Sequence, residues 1–102
     1  MIIVSGFKVF PNEIEDVVAM CPGVLEAGAF GVPDATTGQA VWLAVVRKDQ
    51  DLSAEAVIAH CRANLTAYKV PRHVEFLAEL PKSAIGKVLR RTLGERWSSR
   101  TG

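Results

Sequence analysis

Two short stretches hold residue types that could do chemistry by reaching away from a folded body. The first is Leu80–Arg91, reading LPKSAIGKVLRR, in which Lys87 directly follows Gly86. Glycine lets a chain bend through conformations closed to other residues. The ammonium group of Lys87 is therefore expected to stand on a backbone protrusion, able to enter a site built by something else. The second stretch is Ser5-Gly6-Phe7-Lys8, another glycine turn, where a ligand or partner backbone could come close. Both features look outward and neither makes a pocket, so the chain reads as a contributor to a composite site.

Other chemistries fall away on inspection. The serines have no plausible His–Asp partners, so a hydrolytic triad is not expected. Gly86-Lys87 resembles the end of a phosphate-binding Walker loop, but Pro81 stands where its first glycine belongs and Val88 where Ser or Thr belongs. Neither His60 nor His73 has ligand spacing, and no metal is expected. Cys21 and Cys61 lie forty residues apart without a CxxC pattern and read as structural thiols. Acidic residues Glu13, Glu15 and Asp16 suit the positive end of a helix dipole and need no catalytic role.

A chain of 102 residues, 49% apolar and 23% charged, is one soluble domain with room for a core. No apolar run is long enough for a membrane helix, and the start lacks a signal-peptide pattern. The expected setting is the cytoplasm. Net charge is +1, yet residues 1–50 carry −3 and residues 51–102 carry +4. Between Lys82 and Arg100 six basic residues face one acid, Glu95. That tail suits a phosphate-bearing partner and suits a solvated helix face equally well.

These stretches need positioning elements. Ile2–Phe10 reads as two short β runs turning at Ser5-Gly6, and so abrupt a start suggests a chain cut from something longer. Pro11 opens a helix whose inner stripe is Ile14, Val17, Val18 and Cys21, stopped by Pro22-Gly23. Val24–Val32 and Val41–Val46 form an antiparallel pair, apolar on both faces, with helices on at least one side. Glycines 28 and 31 mark bulges or a close approach. Ser53 caps a helix over Ala54–Leu65 that buries Val57, Ile58, Cys61 and Leu65 and leaves Arg62 outside. A third strand covers His73–Leu77. Val88, Leu89, Leu93 and Trp97 then stitch a final helix to the sheet, with Arg90, Arg91 and Arg96 exposed. The expected fold is α+β: a short N-terminal β-hairpin, then a small three-stranded sheet packed with helices, in the order hairpin-α-β-β-α-β-loop-α.

VSGFKVFPNEIEDVV (Val4–Val18) and YKVPRHVEFLAELPKSAIGKVLRR (Tyr68–Arg91) together resemble the C-terminal domain of AMP-forming acyl-CoA synthetases. Within that adenylate-forming superfamily the wording is most similar to bacterial long-chain fatty acid–CoA ligases. The resemblance implies that residues 1–102 are one mobile lid domain of a larger enzyme. The N-terminal domain, with the nucleotide pocket and acyl tunnel, lies outside this chain, and Met1 falls just after the hinge. The implied substrates are fatty acid, ATP and CoA, with Mg2+ held through the N-terminal domain and no cofactor bound by these residues alone. Lys87 matches the adenylation lysine, beside Gly86. Ser5, Gly6, Phe7 and Lys8 match the loop that enters for thioester formation, with Gly6 lining the pantetheine passage. Lys8 stands where relatives often carry Arg, and Arg62 matches a position used near the CoA 3′-phosphate. Ile85 departs from the small or polar residue common before the Gly-Lys pair. The resemblance also implies a lysine acetyltransferase acting at Lys87, and allows peripheral attachment of the full-length protein at the inner membrane. The other readings are a stand-alone module binding phosphate or nucleic acid, and an adenylation fragment serving a carrier protein. Few aromatics are free to stack on bases, which argues against nucleic acid.

Overall fold

A computed structural model describes the backbone of residues 1–101 and the side chains through Trp97. The last cation of the basic tail, Arg100, lies outside the residues whose side chains are described. The elements are β1 (Ile2–Val4), β2 (Phe7–Val9), α1 (Pro11–Ala19), β3 (Val24–Asp34), β4 (Gly38–Arg47), α2 (Ala54–Asn64), a 3-10 turn (Ala67–Lys69), β5 (His73–Phe76) and α3 (Arg90–Thr101). This is the expected α+β class and element order.

Alternation along β4 decides the architecture. Val41, Leu43 and Val45 point to one face, and Ala40, Ala44 and Val46 to the other, all buried. A strand apolar on both faces must be covered on both. On the first face, α1 and α2 bring Ile14, Val18, Val57 and Cys61 onto Ile2, Val9, Val41, Leu43 and Val45. On the second, α3 and the segment before it bring Leu80 and Leu93 onto Phe30, Val32, Ala44 and Val46. Helices therefore cover both sides of the sheet, not one. Leu43 is fully buried at the centre of the first core. Leu43→Ala is expected to cost roughly 2–5 kcal/mol by transfer and cavity terms together. Urea unfolding of the two proteins, compared by midpoint at equal slope, measures it.

The hairpin and the expected three-stranded sheet prove to be one five-stranded sheet, ordered β2-β1-β4-β3, with β5 parallel to β4. β3 takes one edge of β4, so β1 and β5 share the other. β1 meets β4 through the single pair Val4–Gly38. The Ser5 amide reinforces it by donating to the Thr37 carbonyl at 2.8 Å, as does the Ile3 amide to the Gln39 side-chain oxygen at 2.8 Å. Such a side-chain-assisted junction has no signature in hydrophobic spacing.

Local chemistry explains the element ends. Pro11 sits at the first position of α1, with Glu13 in its first turn. Ser53 caps α2, its hydroxyl accepting from the Ala56 amide at 3.1 Å. β3 and β4 run further toward their shared turn than the expected 24–32 and 41–46, because Asp34 builds the turn itself. Its carboxylate accepts from the Thr36 and Thr37 amides and the Thr37 hydroxyl, the last two at 2.8 Å. Leu89 is 38% exposed, before the helix it was expected to stitch. Among the described residues no helix is long and apolar enough to cross a membrane.

Candidate functional site

Lys87 stands near the tip of a compact hairpin. Lys82 and Val88 pair as its stem, and the Leu89 amide donates to the Pro81 carbonyl at 2.9 Å. Across the loop, the Ser83 amide donates to the Lys87 carbonyl and the Gly86 amide to the Ser83 carbonyl, both at 2.9 Å. Gly86 has φ +83°, the left-handed conformation on which a three-residue hairpin loop ends. The Ser83 hydroxyl accepts from the Lys87 amide at 3.3 Å. Ile85, at the tip, is 88% exposed, and Lys87 is exposed beside it. No carboxylate among the described residues lies within ion-pair reach of the Lys87 ammonium group. The protrusion read from the sequence is present, and its charge is available.

The stem is fixed where it meets the sheet. Leu80 is buried, and a Cβ on Gly28 of β3 would meet Leu93 Cδ1 and Val88 Cγ1, each at 3.0 Å. Gly28 is thus a close approach of packed side chains, not a bulge. Lys82 forms an ion pair with Glu26 of the same strand.

Ser5 and Gly6 form the other protrusion. Their φ values of +50° and +85° are those of the two central residues of a type I′ hairpin, with Val4 opposite Phe7. A Cβ at Gly6 would meet no atom within 4 Å, so the turn is open. Phe7 stays 55% exposed and stacks on Tyr68, ring centres 4.6 Å apart and planes inclined 21°. Lys8 is exposed. Behind the turn, Arg72 donates to Asp34 at 2.9 Å, and Asp34 holds Thr37, whose carbonyl takes the Ser5 amide. Those hydrogen bonds from Thr37, with help from the Arg72 charge, hold the Asp34 carboxyl below its ordinary range. Arg62 is exposed on α2 as expected, and lines a shallow depression with Ile58, Leu65, Val70 and Arg72.

The two protrusions are not neighbours. The Lys87 hairpin rests on β3 at Glu26 and Gly28, whereas the Ser5–Gly6 turn rests on the hairpin turn beyond Asp34. Six residue steps along β3, from Gly28 to Asp34, separate these supports by about 20 Å. They also belong to different cores, since Val88 packs in the second and Val4 in the first.

Two expectations change. Arg90 is not a free surface cation: its Nε donates to Glu15 Oε2 at 2.8 Å and its Nη2 to Glu15 Oε1 at 2.5 Å. The hydrogen bond Arg90 donates to Glu15 pushes the Arg90 pKa up despite partial burial. Glu15 is accordingly more than a helix-dipole charge. Nothing local in the sequence links residues 75 apart. The basic half of the chain is also largely spent internally: Lys69, Arg72, Lys82, Arg90 and Arg91 each meet a carboxylate.

Cys21 and Cys61 are buried free thiols, Cys61 pushed up to about 11 by burial and by the nearby Cys21. Such thiols are inert, as a structural role requires. Among the described residues no group of His, Cys, Asp and Glu could hold a metal ion.

Comparison with known proteins follows this geometry. The AMP-binding enzyme C-terminal domain family matches residues 13–87. The long-chain-fatty-acid–CoA ligase of Escherichia coli O157:H7 is 58% identical over 93 residues, 91% of this chain and 17% of that protein. Its namesake in Salmonella typhimurium is 59% identical over the same share of each. This chain therefore spans about a sixth of the curated relatives it matches. Among solved structures, a Mycobacterium tuberculosis fatty acyl CoA synthetase superposes with a TM-score of 0.91 at 35% identity, covering 98% of this chain and 20% of that one. MatB from Rhodopseudomonas palustris, without ligand, gives 0.90 at 35% identity over the same shares. The chain belongs to the family of C-terminal domains of AMP-binding enzymes.

Proposed function

We propose that residues 1–102 are the mobile C-terminal domain of an AMP-forming fatty acid–CoA ligase. In the first half-reaction a carboxylate attacks the α-phosphorus of ATP, giving acyl-AMP and pyrophosphate. In the second, the CoA thiol attacks the acyl carbon, giving acyl-CoA and AMP. The larger N-terminal domain holds the nucleotide, its Mg2+ and the acyl chain; this chain supplies what must come and go. Lys87 brings a positive charge to the carboxylate and α-phosphate during adenylation, with Gly86 giving its loop the required bend. Ser5, Gly6, Phe7 and Lys8 enter for the thioester step, Gly6 leaving room for the pantetheine arm. Arg62 meets the 3′-phosphate of CoA.

The observation carrying this reading is that the two glycine protrusions stand on separate supports, about 20 Å apart along β3 by strand rise, and are rooted in different cores. One rigid domain cannot offer both to one site at once. It can offer them in turn by rotating, which is what two successive half-reactions need. The setting is cytoplasmic, with any membrane attachment peripheral. Acetylating Lys87 would remove its charge and stop the first step.

ATP–pyrophosphate exchange tests the reading. The 102-residue chain alone is expected to show none, whereas the whole enzyme shows fatty-acid-dependent exchange. Robust exchange by the isolated chain overturns the division of labour.

A further inference from the structure

Beyond this reading, on which it rests, we infer that Arg90 and Glu15 are a positioning pair that aims the Lys87 hairpin for adenylation. The tip of that hairpin packs against no other element: Ile85 is 88% exposed, and a Cβ on Gly86 would meet no atom within 4 Å beyond its chain neighbours. Its direction depends on its two legs. The first leg carries Lys82, paired with Glu26 on β3. The second runs from Lys87 through Val88 and Leu89 into Arg90, the first residue of α3.

Arg90 engages Glu15 through two parallel hydrogen bonds, a geometry that fixes orientation as well as distance. Glu15 is itself held, since its Oε2 accepts from the Ala29 amide of β3 at 2.8 Å, and Arg90 Nη2 also reaches the Asn12 side-chain oxygen. The second leg is therefore tied to α1 and β3 together, three residues from the reactive ammonium group.

Helix energetics point the same way. A cation at a helix N-terminus opposes the macrodipole. Arg90 sits at that unfavourable position with its side chain only 31% exposed, against a Glu15 carboxylate 16% exposed. A residue that breaks a local rule and is compensated by a remote partner marks a site where geometry is at stake. Both side chains are engaged with each other and with Asn12 and the Ala29 amide. The pair acts through the backbone that presents Lys87.

The test uses the whole enzyme and times the half-reactions separately: ATP–pyrophosphate exchange with fatty acid, and acyl-CoA formation from synthetic acyl-adenylate and CoA. A misaimed catalytic group can cost ~10²-fold in rate. Arg90→Ala is expected to slow exchange by about 10–10²-fold, while the thioester step, which uses the Ser5–Gly6 turn on its separate support, stays within about twofold. Arg90→Lys keeps the charge but loses the fork, and should restore exchange only in part. Glu15→Gln, nearly isosteric, should repeat the selective loss more mildly and gives the readout if Arg90→Ala fails to fold. Equal losses in both half-reactions, or none in either, overturn the positioning role and leave the pair as scaffold. A wild-type enzyme with neither half-reaction overturns instead the functional reading beneath it.

Discussion

Replacing Lys87 by alanine in the whole enzyme is expected to slow acyl-adenylate formation ~10²–10³-fold, the usual loss for one preorganised charge at a developing transition state. Acyl-CoA formation from supplied acyl-adenylate should be nearly unchanged. The asymmetry follows from placement. Lys87 is exposed on a hairpin tip, so truncating it removes no packing and leaves no buried partner unpaired. A thermal midpoint within about a degree of wild type should accompany the loss. Lys87→Arg should recover little, because a planar guanidinium is not a substitute for a compact ammonium group. Single-turnover measurement of adenylate and thioester in the same preparation decides the matter. A variant that loses both steps equally would place Lys87 in binding common to the two states.

Much of this was legible before the fold was known, and the reason is local. Proline at the first turn of α1, Ser53 before α2 and Gly86 before Lys87 each act through a neighbour or two, so spacing alone locates them. The two-sided apolarity of Val41–Val46 likewise announces a sheet with helices on at least one side, and both sides prove covered. What sequence could not show is the set of long-range polar ties. Glu15 with Arg90, Lys82 with Glu26, and Arg72 with Asp34 join residues 38 to 75 positions apart. Each member, read alone, is an ordinary surface charge. Asp34 is partly an exception, since an aspartate followed at two and three residues by threonine is the pattern of a side-chain-built turn. Its consequence, that the turn holds Ser5, needs the sheet.

On the proposed reading, the same ties let a chain of ordinary composition deliver two geometries. Each protrusion is a short glycine turn, flexible by itself, and each is braced from behind. The Ser5–Gly6 turn rests on Thr37, set by Asp34, and its Phe7 rests on Tyr68. The Lys87 hairpin rests on Gly28, Glu26 and Glu15. Rigid support is what a group needs if, as proposed, it must arrive correctly aimed on a moving domain.

Gly6→Val is expected to produce the reverse phenotype, with thioester formation down ~10²-fold and adenylation within a few-fold of wild type. At φ +85° a β-branched side chain is strained by roughly 1–3 kcal/mol, so the turn relaxes away from its type I′ shape. The relaxation pulls on the Ser5 amide bound to Thr37 and on Phe7 against Tyr68, and displaces the loop that meets the pantetheine arm. Beyond Ser5 and Phe7, no atom of the described residues lies within 4 Å of the new Cβ, so the core is untouched and the domain stays folded. Gly6→Ala, with less bulk and less strain, should fall between Val and wild type. The diagnostic quantity is the ratio of the two half-reaction rates, which should move in opposite directions for Gly6→Val and Lys87→Ala. Were both variants to shift that ratio in the same direction, the two protrusions would serve one conformation, and a rotating domain would no longer be needed to explain why they stand on separate supports.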